Sequence, residues 1–361
     1  MRLRSAAAPL LLAAALCVAG VPLTALSTAG AAPAAHAAAA GAAARPDRAK
    51  PLPAQVYAPY FEGWRAVSIP SVAHRSGVRY FSLAALQTAR RGSCTLTWNG
   101  DPGQPVRPGG RFTAQLAALR AMGGDVLITL GGSTAGLTGT EIADSCSSVA
   151  KIAKAYENVI TSYHVTRLDM DVEERALNDP AGLARRSEAI AQLEQWAKQT
   201  HRHVEVELTL GAVPWGLPPS SRRVVASAVA HHAAITVVNA MTFDYFTTNA
   251  RVHMGAAAIS ALRAMHRQLA KLYPGLSSRQ RWLMEGVTLM PGLDDNPHKN
   301  EVTYPADARQ VAAFARAHQL PLVSIWAIQR DNGRCPGHKG GDNSCSSIRQ
   351  PTWEFSHILA R

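Results

Sequence analysis

The sequence is poor in charge: only 17% of its 361 residues are Asp, Glu, Lys or Arg, and past the first fifty positions no tract is biased in composition. Wholesale disorder and fibrous repeats are excluded, because the rest of the chain has the apolar content to bury a sizeable core. Lys and Arg outnumber Asp and Glu by 37 to 25, yet they are scattered and form neither a nucleic-acid groove nor a membrane-binding stripe. Phosphate-cradling signatures are missing too, with no GxGxxG after the first strand-like run and no GxxxxGK[ST] anywhere. There is no HExxH, the cysteine spacings fit no zinc ribbon, and His201, His203, His231 and His232 read as surface or packing residues. No metal and no cofactor is therefore expected.

Cysteine is scarce, five in all, and its reading depends on the N-terminus. Arg2 and Arg4 precede an apolar stretch from Ala6 to Leu26, followed by small residues at Ala29-Gly30-Ala31 and Ala35-His36-Ala37-Ala38. This pattern predicts a signal peptide over residues 1–38, with an Ala/Pro-rich leader over 39–52, so the mature protein is expected outside the cell and off the membrane. Pro9 and Pro22 interrupt the stretch and argue against an anchor, and Leu16 before Cys17 argues against lipid attachment. Four cysteines remain, Cys94, Cys146, Cys335 and Cys345, an even count that suggests two disulfides in an exported chain. Of three connectivities, Cys94–Cys146 with Cys335–Cys345 is favoured, because the second pair closes a short Gly-rich polar loop with little else to hold it.

Residues 53–361 read as one domain. Short β-rich runs occur at Gln55–Phe61, Val78–Leu86, Gly124–Gly131, Val165–Glu173, His203–Gly211, Ile235–Phe243, Arg281–Pro291 and Pro321–Ile328. Between several of them apolar residues recur at helical spacing: Val149, Ile152, Tyr156 and Ile160; Ile190, Leu193 and Ala197; Ile259, Leu262, His266 and Leu269. Asp179-Pro180 reads as an N-cap with proline at the first helical position. Eight strands alternating with helices predict an α/β fold, a single (β/α)8 TIM barrel, with an open doubly wound sheet as the alternative. In a barrel the chemistry lies at the C-terminal ends of the strands.

The fourth run, Leu168-Asp169-Met170-Asp171-Val172-Glu173-Glu174, is the most informative. Strand residues alternate faces, so Leu168, Met170 and Val172 point to the covering helices while Asp169, Asp171 and Glu173 point inward. Same-face neighbours stand roughly 6.5–7 Å apart, close enough in a shielded interior for each charge to raise the next group's pKa. One acid should hold a proton near neutral pH, and Glu173, the outermost, is best placed to pass it on. An exposed acidic edge or an Asp-x-Asp cation site are the competing readings; burying unpaired acids costs several kcal/mol and points to catalysis.

Through these acids the sequence resembles glycoside hydrolase family 18, the chitinases, and among them secreted actinobacterial enzymes. The family's DGxDxDxE aligns with residues 166–173 and keeps the last three acids, while Thr166-Arg167 replaces the leading Asp-Gly. Thr129-Leu130-Gly131-Gly132 is similar to the SxGG of the third strand, Met241-Thr242-Phe243-Asp244 to the MxYD of the sixth, and Trp326 falls where the eighth strand carries a tryptophan. Tyr57–Phe61, Cys94–Asp101, Asn239–Tyr245 and Trp326–Gly337 also resemble the actinobacterial members.

The resemblance implies hydrolysis of β-1,4 bonds in chitin or N-acetylchitooligosaccharides with retention, the substrate's 2-acetamido oxygen serving as nucleophile. Glu173 would be acid and base, Asp171 would orient the acetamido group, and Asp169 would share a proton behind it. Trp326 would floor the sugar site, with Tyr60, Met241, Asp244 and Tyr245 as further contacts. Phe243 departs from the family tyrosine; Tyr245, two residues on and on the same side of the strand, is expected to supply the hydroxyl. Glu285 on the seventh strand either faces inward and perturbs the acids or faces out and is solvated. Tyr60, Trp64, Trp98 and Trp215 form a set of stacking candidates, unlike Trp196 in a helical pattern and Trp353 near the terminus. An endo-β-N-acetylglucosaminidase and a chitinase-like carbohydrate-binding protein are the rivals. No interface signature stands out, so a monomer is expected.

Overall fold

The fold is given by a computed structural model, which describes residues 50–246, 252–295, 300–339 and 342–360. The expected signal peptide, Cys17 and the leader up to residue 49 lie outside the described residues. The first strand, β1, runs in two segments, Val56–Tyr57 and Tyr60–Glu62. After it come β2 (Tyr80–Thr88), β3 (Asp125–Gly131), β4 (Arg167–Asp171), β5 (Glu205–Gly211), β6 (Val237–Met241), β7 (Glu285–Leu289) and β8 (Leu322–Ile325). Each of these strands pairs in parallel with the next, the second segment of β1 pairs with β2 and its first segment with β8. The sheet thus closes on itself as the expected barrel, and the open-sheet alternative falls.

The break in β1 is the seam of this closure. Ala58, between the two segments, offers its carbonyl to Ser82 Oγ from β2 (3.0 Å) and Ser324 Oγ from β8 (2.7 Å), so both neighbours are held where the ladder is interrupted.

Helical spacing in the sequence becomes the outer layer. Helices α1 (Val149–Tyr163) and α2 (Pro180–Gln199) flank β4, and α3 (Met254–Leu272) precedes β7. Ile152, Tyr156 and Ile160 of α1 and Ile190 and Leu193 of α2 are buried in one core with Leu168, Met170 and Val172, the face of β4 assigned to the helices. Each such aliphatic side chain contributes roughly 1.5–3 kcal/mol by leaving water. Asp179 caps α2 as expected, its carboxylate accepting from the Ala181 amide at 3.0 Å, with Pro180 in the first turn. Both favoured disulfides are present, Cys94–Cys146 and Cys335–Cys345. No helix among the described residues is long and apolar enough to cross a membrane.

Candidate active site

Strand alternation delivers three acids to the barrel interior, but their surroundings differ. Asp169 is fully buried and accepts three hydrogen bonds, from Tyr60 Oη (2.8 Å), Thr129 Oγ1 (2.9 Å) and Thr209 Oγ1 (2.7 Å). Burial raises its pKa to about 6, and the three hydroxyls hold it from going higher. Asp171, one step outward, is also buried, and its Oδ1 has no hydrogen-bond partner among the described residues. Burial first, and then the Glu173 and Asp169 charges, push it well above the usual carboxylate range. Glu173 follows the end of β4 in extended conformation and is half-buried, with its pKa raised to about 7 by burial and by Glu174 and Asp244. Near neutrality the innermost acid thus carries the charge, the middle one keeps the proton, and the outermost is poised to exchange one.

A fourth acid escaped the sequence reading. Glu207 on β5 lies in register with Asp169, is fully buried, and neither of its oxygens finds a hydrogen bond among the described residues. Arg167 stands 3.7 Å away but makes its closer pair, 2.6 Å, with Glu205. Burial and the adjacent Asp169 hold Glu207 well above its ordinary pKa. The signal was there: Glu205-Val206-Glu207-Leu208-Thr209 alternates just as β4 does. The Arg167–Glu205 pair also occupies the position where Thr166-Arg167 departs from the family's Asp-Gly.

Above the acids opens a cleft of about 890 Å³. Tyr60, Met241, Asp244, Tyr245 and Trp326 all line it together with Asp171 and Glu173, so the expected substrate contacts converge. Trp326 is flanked by Tyr60, ring centroids 5.5 Å apart, and by Trp64 at 6.2 Å. Trp64 is 45% exposed at the mouth, whereas Tyr60 is buried with its hydroxyl committed to Asp169.

Three expectations are corrected. Trp98 is no stacking position: it is fully buried against Phe112 and Tyr163, and its Nε1 donates to the Tyr163 hydroxyl at 2.7 Å. Tyr245 does not share a strand face with Phe243, because β6 ends at Met241 and Asp244 takes a left-handed backbone, φ 51°; the bend, not strand alternation, brings Tyr245 to the cleft. Glu285 is neither in the acid ladder nor solvated. It is fully buried against α3, 2.7 Å from His266 Nδ1, and burial raises its pKa to about 9 while His266 lies below its ordinary value.

A parallel barrel with a ladder of carboxyls at the ends of its strands, under an open cleft, offers a bound ligand both a proton donor and a proton acceptor, as hydrolysis of a glycosidic bond requires. Its relatives are chitinases. The chain is 30% identical over 322 residues to the probable bifunctional chitinase/lysozyme of Escherichia coli (strain K12), covering 86% of this chain and 35% of that protein. It is 30% identical over 293 residues to endochitinase 11 of Metarhizium anisopliae, covering 78% and 53%. The chain thus spans about a third and about half the length of these two curated relatives. No protein-family model matches it. Among solved structures it superposes on active domain 2 of the Pyrococcus furiosus chitinase with a TM-score of 0.73 at 26% identity, covering 86% of this chain and 96% of that one. The family GH18 chitinase domain of the fern Peteris ryukyuensis shares the fold, with a TM-score of 0.54 at 15% identity over 85% of this chain and 100% of that one.

Proposed function

We propose that this chain is a family 18 chitinase, exported and active as a monomer, that hydrolyses β-1,4 bonds between N-acetylglucosamine units with retention of configuration. The observation that carries the reading is the gradation along Asp169, Asp171 and Glu173 beneath a cleft that Trp326 helps to line. The N-acetylglucosamine ring lays its apolar face on Trp326. Glu173, protonated up to about pH 7, gives its proton to the leaving glycosidic oxygen, and its conjugate base later activates water. The substrate's acetamido oxygen attacks the anomeric carbon, so no covalent bond to the protein forms. Asp171, whose carboxyl holds a proton in the free protein, passes that proton back to Asp169, turns to the acetamido N–H and, now charged, stabilises the cationic ring intermediate. Tyr245, which lines the cleft, contacts the acetamido oxygen in place of the strand tyrosine. A structure of the Pyrococcus furiosus domain complexed with chito-oligosaccharides supports this substrate class by similarity.

The test is turnover of fluorogenic N-acetylchitooligosaccharides by wild type and Glu173→Gln. Loss of the general acid is expected to lower kcat by about 10²–10⁴-fold while oligomer binding persists. Wild-type protein that binds oligomers without cleaving them would make it a carbohydrate-binding barrel. Cleavage of glycoprotein N-glycans but not of oligomers would make it an endo-β-N-acetylglucosaminidase.

A further inference from the structure

Residues beyond β6 do not continue the strand. Asp244 and Phe246 have φ of 51° and 53°, left-handed values that a non-glycine residue keeps only when its surroundings impose them. The bend turns two successive amides away from the sheet, and each is met by a buried carboxyl from the connection after β7. Asp294 Oδ2 accepts from the Asp244 N–H at 2.9 Å, and Glu301 Oε2 accepts from the Tyr245 N–H at 2.8 Å. Both acids are fully buried, a costly placement for groups that would only tidy a surface loop.

The two carboxyls are side by side because Gly292–Leu293 pairs antiparallel with Val302–Thr303, and the Asp294 amide then donates to the Glu301 carbonyl at 3.1 Å. The base of this hairpin is clamped from beneath. Buried Arg330 donates to the Pro291 carbonyl at 3.0 Å and to the Leu293 carbonyl, and the Leu293 amide donates to the carbonyl of Ser346, next to the Cys335–Cys345 disulfide. The carboxyls are thus anchored to the eighth βα connection and not to the bend they hold.

From this we infer that Glu301, with Asp294 beside it, is a positioning residue: it holds the bend at residues 243–245 so that Tyr245 enters the cleft, where the strand direction alone would offer only the Phe243 ring. The inference rests on the chitinase reading for its kinetic consequence, and on geometry alone for the bend. Glu301→Met removes the acceptor at similar length, whereas Glu301→Gln keeps an amide oxygen that can still accept from Tyr245.

The experiment compares both variants, Asp294→Asn, Tyr245→Phe and the Glu301→Met/Tyr245→Phe double on chitooligosaccharides, with amide hydrogen exchange at residues 244 and 245 measured in parallel. Glu301→Met is expected to lower kcat by about 10–100-fold, as a misplaced contact of about 1 Å does. Exchange at both amides should quicken, Glu301→Gln should recover most of both effects, and the double variant should be no worse than its poorer single. Losses that multiply in the double, or amides that stay protected in Glu301→Met, would overturn the inference. Quickened exchange in a protein whose wild type is inert on chitooligosaccharides would leave the bend assignment standing and remove the chitinase reading instead.

Discussion

The roles of single residues follow from what donates to them. Asp169 and Asp171 are the same side chain on the same strand face, yet one accepts from three hydroxyls while the other has an oxygen with no partner. Charge settles where the donors are, and the proton settles where they are not. Asp169, at about 6, and Glu173, at about 7, then frame the pH range in which the ladder is correctly charged. Thr209→Val takes away the hydroxyl 2.7 Å from Asp169 Oδ1 and should raise the acid limb of kcat/KM by about one unit, since a hydrogen bond to an ionised group contributes roughly 1.5–3 kcal/mol before compensation. A profile that stays in place on this substitution would mean that another group governs the limb.

At the scale of elements, the site depends on how closely β3 approaches β4. Gly131 ends β3 with φ 105°, and a Cβ there would lie 2.2 Å from the Asp171 carbonyl oxygen, so the position needs glycine for both torsion and space. Its neighbour Gly132 donates its amide to that same carbonyl at 2.9 Å. Gly131→Ala should therefore cost about 1–3 kcal/mol or more in stability. Because the clash falls on the backbone that carries Asp171, kcat should drop as well. Thermal unfolding and turnover on one preparation check this; a stable, fully active variant would show that the two strands can part without harm. The same scale explains Glu285, where strand alternation leaves two faces open and only the packing of α3 over β7 makes the outer one a buried site beside His266.

For the whole molecule, the buried acids set how stability depends on pH. Asp169, Asp171, Glu173, Glu207 and Glu285 all have folded pKa values above the roughly 4 of an unfolded carboxyl. Between those values the folded state binds more protons than the unfolded one, so stability falls as pH rises. The melting temperature should be highest in mildly acid solution, near pH 5, and decline steadily toward pH 9, where Glu285 titrates. Below about pH 4 the excess of basic residues, 37 against 25, reverses the trend through self-repulsion as the surface carboxylates lose their charge. Glu285→Gln should flatten the decline between about pH 7 and 9. Scanning calorimetry across the series measures it, and a melting temperature that climbs from pH 5 to pH 8 would show that the buried acids are ionised.

Much of this protein was legible in its residues. Alternation along Leu168–Glu173 placed three acids inward, helical spacing in Ile152, Tyr156 and Ile160 marked the layer that covers them, Asp179-Pro180 marked a helix start, and the short loop between Cys335 and Cys345 pointed to its own disulfide. These are local rules, in which the period of the backbone decides which side chains share a face. What the sequence could not decide are the meetings across the barrel. Tyr60, Thr129 and Thr209 converge on Asp169 from three other strands, Glu207 comes into register beside it, and Glu301 reaches back over more than fifty residues to hold Tyr245. Such contacts depend on strand register and on where each connection bends, and these are settled only when the sheet closes and every strand acquires a neighbour on both sides.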